Sequence, residues 1–214
     1  MKLPRLTIRQ LLWWIAVVGL ALSYLNNFRR MRTAEAELAL LRSEVGHLQA
    51  GDADELAAVR IAATDPLQWQ TRVRVPKGQP YRVAYSALWR EATGAPQWYS
   101  AQTVPPGESV VTVRVLKDPR DDRWKMHLIV RHAHGVSRSS TALPEEIAEV
   151  FRGSHDVIST GVGRQTATRP AGQSLRLLDD RYFAGQSLML YGDRAPKEDV
   201  VGVYAELQPD VGPL

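Results

Sequence analysis

Apolar residues follow three successive rules along this chain, and each rule predicts a different element. The first is continuity. Residues 10–28 carry no charge, and Leu11 to Leu25 is apolar except at Gly19 and Ser23. A helix over this stretch rises about 28 Å, close to the ~30 Å hydrocarbon core of a bilayer. The spacing predicts a transmembrane anchor at 10–28, preceded by a short basic tail at 1–9. Thr7 and Gln10 fit a capping box, with Leu6 and Leu11 as its hydrophobic staple. Trp13, Trp14 and Tyr24 suit the two interfaces, and Arg9, Arg29, Arg30 and Arg32 flank the span.

The second rule is the heptad. Met31, Ala34, Leu38, Leu41, Val45 and Leu48 are spaced 3, 4, 3, 4, 3. With Met31 at position a, Arg30 faces Glu35 of a parallel partner and Glu37 faces Arg42. These pairs predict a parallel homodimer or homo-oligomer. The competing reading is an amphipathic helix packed on its own C-terminal domain. An apolar stripe resumes at Leu56, Val59 and Ala63, and Asp65-Pro66 ends helical geometry. The prediction is a helical stalk over 29–65.

The third rule, alternation, governs 66–214. Trp69, Thr71, Val73 and Val75 form one period-two series. Tyr81, Val83, Tyr85, Ala87 and Trp89 form a second, and Val111, Val113 and Val115 a third. Trp124, Met126, Leu128 and Val130 form a fourth. One buried and one wetter face is the mark of an antiparallel sheet. Strands are also expected at Ser187–Tyr191 and Val200–Leu207, and a hairpin turn at Asp118–Asp122. Pro144, Glu145 and Glu146 open one short helix, and Gly153 closes it. The stretch 154–170 is polar, with no clear period, and reads as a surface loop. The predicted fold is mainly β: an antiparallel β-sandwich with one short helix, behind a long N-terminal transmembrane and coiled-coil helix.

A turn motif recurs at Gly78-Gln79-Pro80-Tyr81, Gly107-Glu108-Ser109-Val110, Gly172-Gln173-Ser174-Leu175 and Gly185-Gln186-Ser187-Leu188. Each glycine fits the positive-φ position of a type II turn that opens a strand. Residues 171–181 and 184–194 match at eight of eleven positions with a 13-residue period. Two copies predict similar strand-and-turn units within one sheet system, since a solenoid needs about three.

Composition narrows the chemistry. The absence of cysteine excludes a disulfide framework, a thiolate metal site and a cysteine nucleophile. The formal charge is +4, with both signs interspersed. No phosphate-binding loop or RNA-binding signature appears, so nucleic acid is not an expected partner. Arg72, Arg74, Arg82 and Arg90 sketch a basic stripe, a pattern that also guards sheet edges against aggregation.

His132 and His134 share parity on a strand, and His155 is the nearest source of a third metal ligand. Ser154-His155-Asp156 holds the triad residue types as neighbours in sequence, whereas triads assemble in space. Gly161-Val162-Gly163 lacks the third glycine and the βαβ unit of a dinucleotide site. The pairs Asp121-Asp122 and Asp179-Asp180 sit in turn-like sequence. No catalytic residue and no cofactor is assigned.

The opening Leu6-Thr7-Ile8-Arg9-Gln10-Leu11-Leu12-Trp13-Trp14, the heptads, Pro106–Val111 and Lys117–Trp124 together resemble the uncharacterised single-pass membrane proteins of planctomycete bacteria. The resemblance implies an N-terminal anchor, a short coiled coil and a C-terminal β domain, and carries no activity. The expected role is a membrane-anchored extracytoplasmic β domain serving as a binding or structural module. Two alternatives stand beside it. One is a metal-dependent hydrolase using His132, His134 and His155. The other is a secreted soluble binding protein cleaved near Ala21-Leu22-Ser23.

Overall fold

A computed structural model describes residues 8–49, 54–89, 95–153, 156–183 and 200–212. The chain divides into two compact units, Met1–Arg42 and Ser43–Leu214.

All of the first unit's described part belongs to one helix, α1 (Ile8–Val45). Its large apolar side chains are exposed on every side, among them Trp13, Trp14, Ile15, Leu20 and Leu22. The heptad residues Met31, Leu38, Leu41 and Val45 are exposed too. Among the described residues no helix is long and apolar enough to cross a membrane. The expected cap residues Leu6 and Thr7 lie outside the described residues.

The stalk expectation is corrected after Val45. Gly46 takes φ +63°, the left-handed turn that stops a helix. A Cβ there would collide with the Ile61 side chain. Leu48 therefore leaves the heptad seam and packs instead on Ala57 and Val59. The predicted helical segment 55–61 is a strand, β1 (Glu55–Ile61). Leu56, Ala57, Ala58 and Val59 are all buried. A strand covered on both faces shows no alternation, so its apolar spacing mimics a helix.

The second unit is two antiparallel sheets enclosing one core. The first sheet adds β2 (Gln68–Val75), β5 (Gly107–Lys117), β6 (Trp124–His132), β7 (Gly135–Ala142) and β9 (Ala167–Pro170). The second holds β3 (Tyr81–Trp89), β4 (Ser100–Val104), β8 (Asp156–Ser159), β10 (Leu175–Phe183) and β11 (Val200–Pro209). The orders are β7-β6-β5-β2-β1-β9 and β4-β3-β11-β10-β8. The main core draws Val73, Val113 and Leu128 from the first sheet and Val83, Leu177 and Leu207 from the second. This is the predicted sandwich.

The first alternating series assigns the inner face correctly: Trp69, Thr71, Val73 and Val75 are buried, and Gln68, Gln70, Arg72 and Arg74 are not; the second holds through Ala87 and fails at Trp89, which leaves the core. The short helix α2 (Glu145–Arg152) follows Pro144 and buries Ile147, Ala148 and Phe151. The expected surface loop at 154–170 is instead partly strand, because β8 and β9 are edge strands that face mostly solvent. The predicted strand at 187–191 and the second repeat copy lie outside the described residues.

The recurrent turn is real at its described copies: Gly78, Gly107 and Gly172 have φ of +97°, +101° and +84°. Two of these turns meet, since the Gly172 amide donates to the Tyr81 hydroxyl at 2.6 Å. A polar contact also closes one side of the sandwich. The Tyr85 hydroxyl lies 2.9 Å from Thr141 Oγ1 and 3.2 Å from Ser139 Oγ, joining β3 to β7.

Candidate functional site

Paired residues in an antiparallel sheet share a face, so register alone maps the outer side of the six-stranded sheet. One row runs Arg72–Val110–Arg131–Val136 from β2 to β7. The next is Gln70–Thr112–Ile129–Arg138, and the third Gln68–Arg114–His127–Ser140. Arg74 lies beside Arg72 on β2, opposite Glu108. Five arginines thus share one sheet face. Four of them sit on the central strands β2, β5 and β6. Protection of an edge cannot explain cations placed there.

Few acids answer them. Glu108 approaches Arg72 only at 3.9 Å, and its side chain is exposed. Lys125 is matched separately, by Asp118 at 2.8 Å and Asp121 at 2.6 Å. Those hydrogen bonds hold both carboxyls below their ordinary range and raise the Lys125 ammonium. The Nε atoms of Arg72, Arg74 and Arg114 and Nε2 of His127 are shut from solvent without a hydrogen-bond partner. Thr112 Oγ1 is in the same state. Burial lowers the His127 pKa, and the neighbouring Arg114 charge lowers it further.

Two hollows open on this face. The larger, of about 680 Å³, is lined by Arg114, Arg120, His127, Arg131 and Arg138, with Leu116 and Ile129 as apolar lining. The smaller, of about 270 Å³, lies between Arg72 and Arg131. Each hollow has one carboxylate in its lining, Asp118 bound to Lys125 in the larger and exposed Glu108 in the smaller, so the arginines are in excess and suit oxyanions bound through paired hydrogen bonds.

The outer face of the other sheet is a contrast, because its charges are matched internally. Arg181 grips Asp179 through two hydrogen bonds of 2.8 and 3.1 Å, and Arg176 bonds Glu206 at 2.7 Å. Both guanidinium groups also sit against the Trp89 ring, at 5.3 Å for Arg176 and 4.4 Å for Arg181. Tyr204 meets Trp89 edge-on at 5.5 Å, and burial pushes its phenol well up. Each guanidinium here is thus paired with a carboxylate, although Arg176 Nη1 has no hydrogen-bond partner.

The sequence-predicted sites fare differently. His132 and His134 lie 6.2 Å apart at the β6–β7 turn, where the His134 amide donates to His132 Nδ1 at 3.2 Å. That contact occupies one of the two His132 nitrogens. His155 lies outside the described residues. No cluster of three metal-ligating side chains occurs among the described residues. Asp179 and Asp180 are not turn residues but buried members of β10. The anticipated basic stripe does not assemble as written. Arg82 is on the other sheet, paired with Asp210, and Arg90 lies outside the described residues. Arg72 and Arg74 are joined instead by Arg114, Arg131 and Arg138. The signal was present as period-two arginines within β2, but the strand order that gathers the rest was not.

No protein-family model matches the chain, and no curated protein matches it.

Proposed function

We propose that this chain is a membrane-tethered β-sandwich that binds an anionic ligand on the outer face of its six-stranded sheet. One observation carries the binding role: five arginines on one sheet face have a single acid in register, Glu108, and several of their nitrogens lack partners. Such an arrangement lowers stability, and proteins keep broken local rules mainly at functional sites.

The tether rests on the uncharged stretch 10–28 and on the exposure of its side chains all round the helix. The described apolar part from Leu12 to Phe28 covers about 25 Å, shorter than an average bilayer core. Snorkelling of Arg9 and Arg29 and local thinning accommodate such a mismatch at modest cost. The resemblance to planctomycete single-pass proteins agrees with this placement. The tail bearing Lys2, Arg5 and Arg9 stays in the cytoplasm and the sandwich lies outside it. Two copies pair in parallel through Met31, Ala34, Leu38, Leu41 and Val45.

Two measurements on the full chain test this. A reporter active only outside the cytoplasm, fused after Leu214, gives signal; silence there refutes the placement. In nonionic detergent, tripolyphosphate binds wild type, and Arg114→Ala/Arg131→Ala weakens it tenfold or more. Arg152→Ala, which removes one exposed charge from α2, leaves binding unchanged. Equal binding by all three proteins refutes the site.

A further inference from the structure

We infer that the two hollows are adjacent subsites for one linear polyanion that carries no aromatic bases. This rests on the anion-binding reading and specifies its ligand.

A single small anion is held best by cations converging on one point. Here they are dispersed. Strands lie about 4.8 Å apart, so the Cα atoms of Arg72 on β2 and Arg138 on β7 stand roughly 15 Å apart across the sheet. Successive rows on one face are about 6.8 Å apart, which puts the Cα atoms of Arg114 and Arg131 roughly 14 Å apart, at opposite ends of the larger hollow that both line. Arg131 lines both hollows, with Arg72 on one side and Arg114 and Arg138 on the other. One oxyanion in each hollow, joined by a chain passing Arg131, matches this layout; one compact anion in the larger hollow leaves Arg72 unused.

The rest of the face specifies the chemistry. Between the arginines stand Gln68, Gln70, Thr112, Val110, Ile129 and Ser140. None is aromatic. The nearby Trp69 and Trp124 lie in register with the inward-facing Val113 and with Lys117, not in these rows. Single-stranded nucleic acid is held by stacking successive bases on several aromatic rings, and these rows hold no Trp, Tyr or Phe and only one His. Arginine outnumbers lysine on the face, and its planar fork favours phosphate or carboxylate groups. The ligand chemistry is therefore a chain of repeating oxyanions, either a phosphate polymer or an acidic polysaccharide.

Linking two weak sites makes the second contact intramolecular, so the polymer gains far more than twofold over its monomer. The test titrates the full chain in nonionic detergent with inorganic phosphate, long-chain polyphosphate, polygalacturonate and oligodeoxythymidylate. Polyphosphate or polygalacturonate is expected to bind at least a hundredfold more tightly than its monomer unit, and whichever binds better identifies the source. Arg72→Gln and Arg114→Gln, each confined to one hollow, are each expected to cost tenfold or more in polymer affinity. The salt dependence of wild-type binding supplies a measurement free of folding artefacts: its slope corresponds to three or more displaced counterions, against about one for a single hollow.

A polymer that gains no more than its charge concentration over the monomer overturns the inference while leaving a simple anion site in place. So does sensitivity to one hollow alone. An oligonucleotide that outcompetes polyphosphate of equal charge overturns the base-free specification. Failure of every anion, inorganic phosphate included, removes the anion-binding reading itself.

Discussion

Arg114 and His127 stand directly opposite each other across β5 and β6, two basic side chains paired in the middle of a sheet. Desolvation disfavours the imidazolium most, and the guanidinium adds to it. Lys125 acts in the same direction and Asp118 against it. The pair is tolerated because His127 remains neutral near pH 7.

That neutrality is measurable. His127 is expected to titrate below its ordinary value near 6.5, and Arg114→Gln to raise the midpoint. A lowered folded pKa for a base means the unfolded chain binds more protons as pH falls from 6.5. Stability is thus full above about 6.5 and declines as pH drops toward the folded value. His127→Gln should flatten that decline. Bound anions should raise the His127 midpoint in an NMR titration, and a midpoint indifferent to polyphosphate would place the ligand elsewhere.

Asp180 joins the two sheets. Arg60 on β1 donates to it twice, at 3.1 and 2.6 Å, and Trp69 Nε1 donates at 2.6 Å. Its side chain is 4% exposed, against 25% for Arg60. Asp180→Ala leaves a cation and an indole N–H unanswered, and is expected to cost about 3 kcal/mol in denaturant unfolding. Arg60→Met/Asp180→Leu should regain most of that, because the desolvated charges go together. If the single and double variants are equally destabilised, the pair is not what holds the edge.

Gly202 is required by close approach. A Cβ there would sit 2.7 Å from the Tyr204 ring and collide with the Asp180 carbonyl. The Tyr204 hydroxyl reaches back to the Val200 carbonyl at 3.1 Å, across the irregularity in β11 pairing. Gly202→Ala is expected to destabilise by about 1–3 kcal/mol through overpacking, read as a lowered Tm. Tyr204→Leu in the same background should relieve part of it.

The stalk gives a prediction independent of the sheet. Leu38 is 46% exposed on α1 and falls at the centre of the heptad seam. Leu38→Asp should convert a crosslinkable dimer into a monomer in nonionic detergent, with unchanged melting of the sandwich. A wild-type chain that sediments as a monomer would remove the pairing.

The sequence alone determined what depends on local periodicity. Alternation at 69–75, 81–87, 111–115 and 124–130 identified the inner face, because side chains in a strand reverse with every residue, whereas Trp89, beyond the irregular β3–β11 pairing, turned to the outer face. The turn glycines and α2 were also legible, since positive φ and a helix start are set by a few adjacent residues. Tertiary structure decided what depends on neighbours remote in sequence. β1 is buried on both faces, so its pattern carried no period of its own. Leu48 left the heptads because Ala57 and Val59 offered it a covered surface. The arginine face arose only when the order β7-β6-β5-β2 laid residues from 72 to 138 side by side, and strand order is a property of the packed sheets that no local spacing encodes.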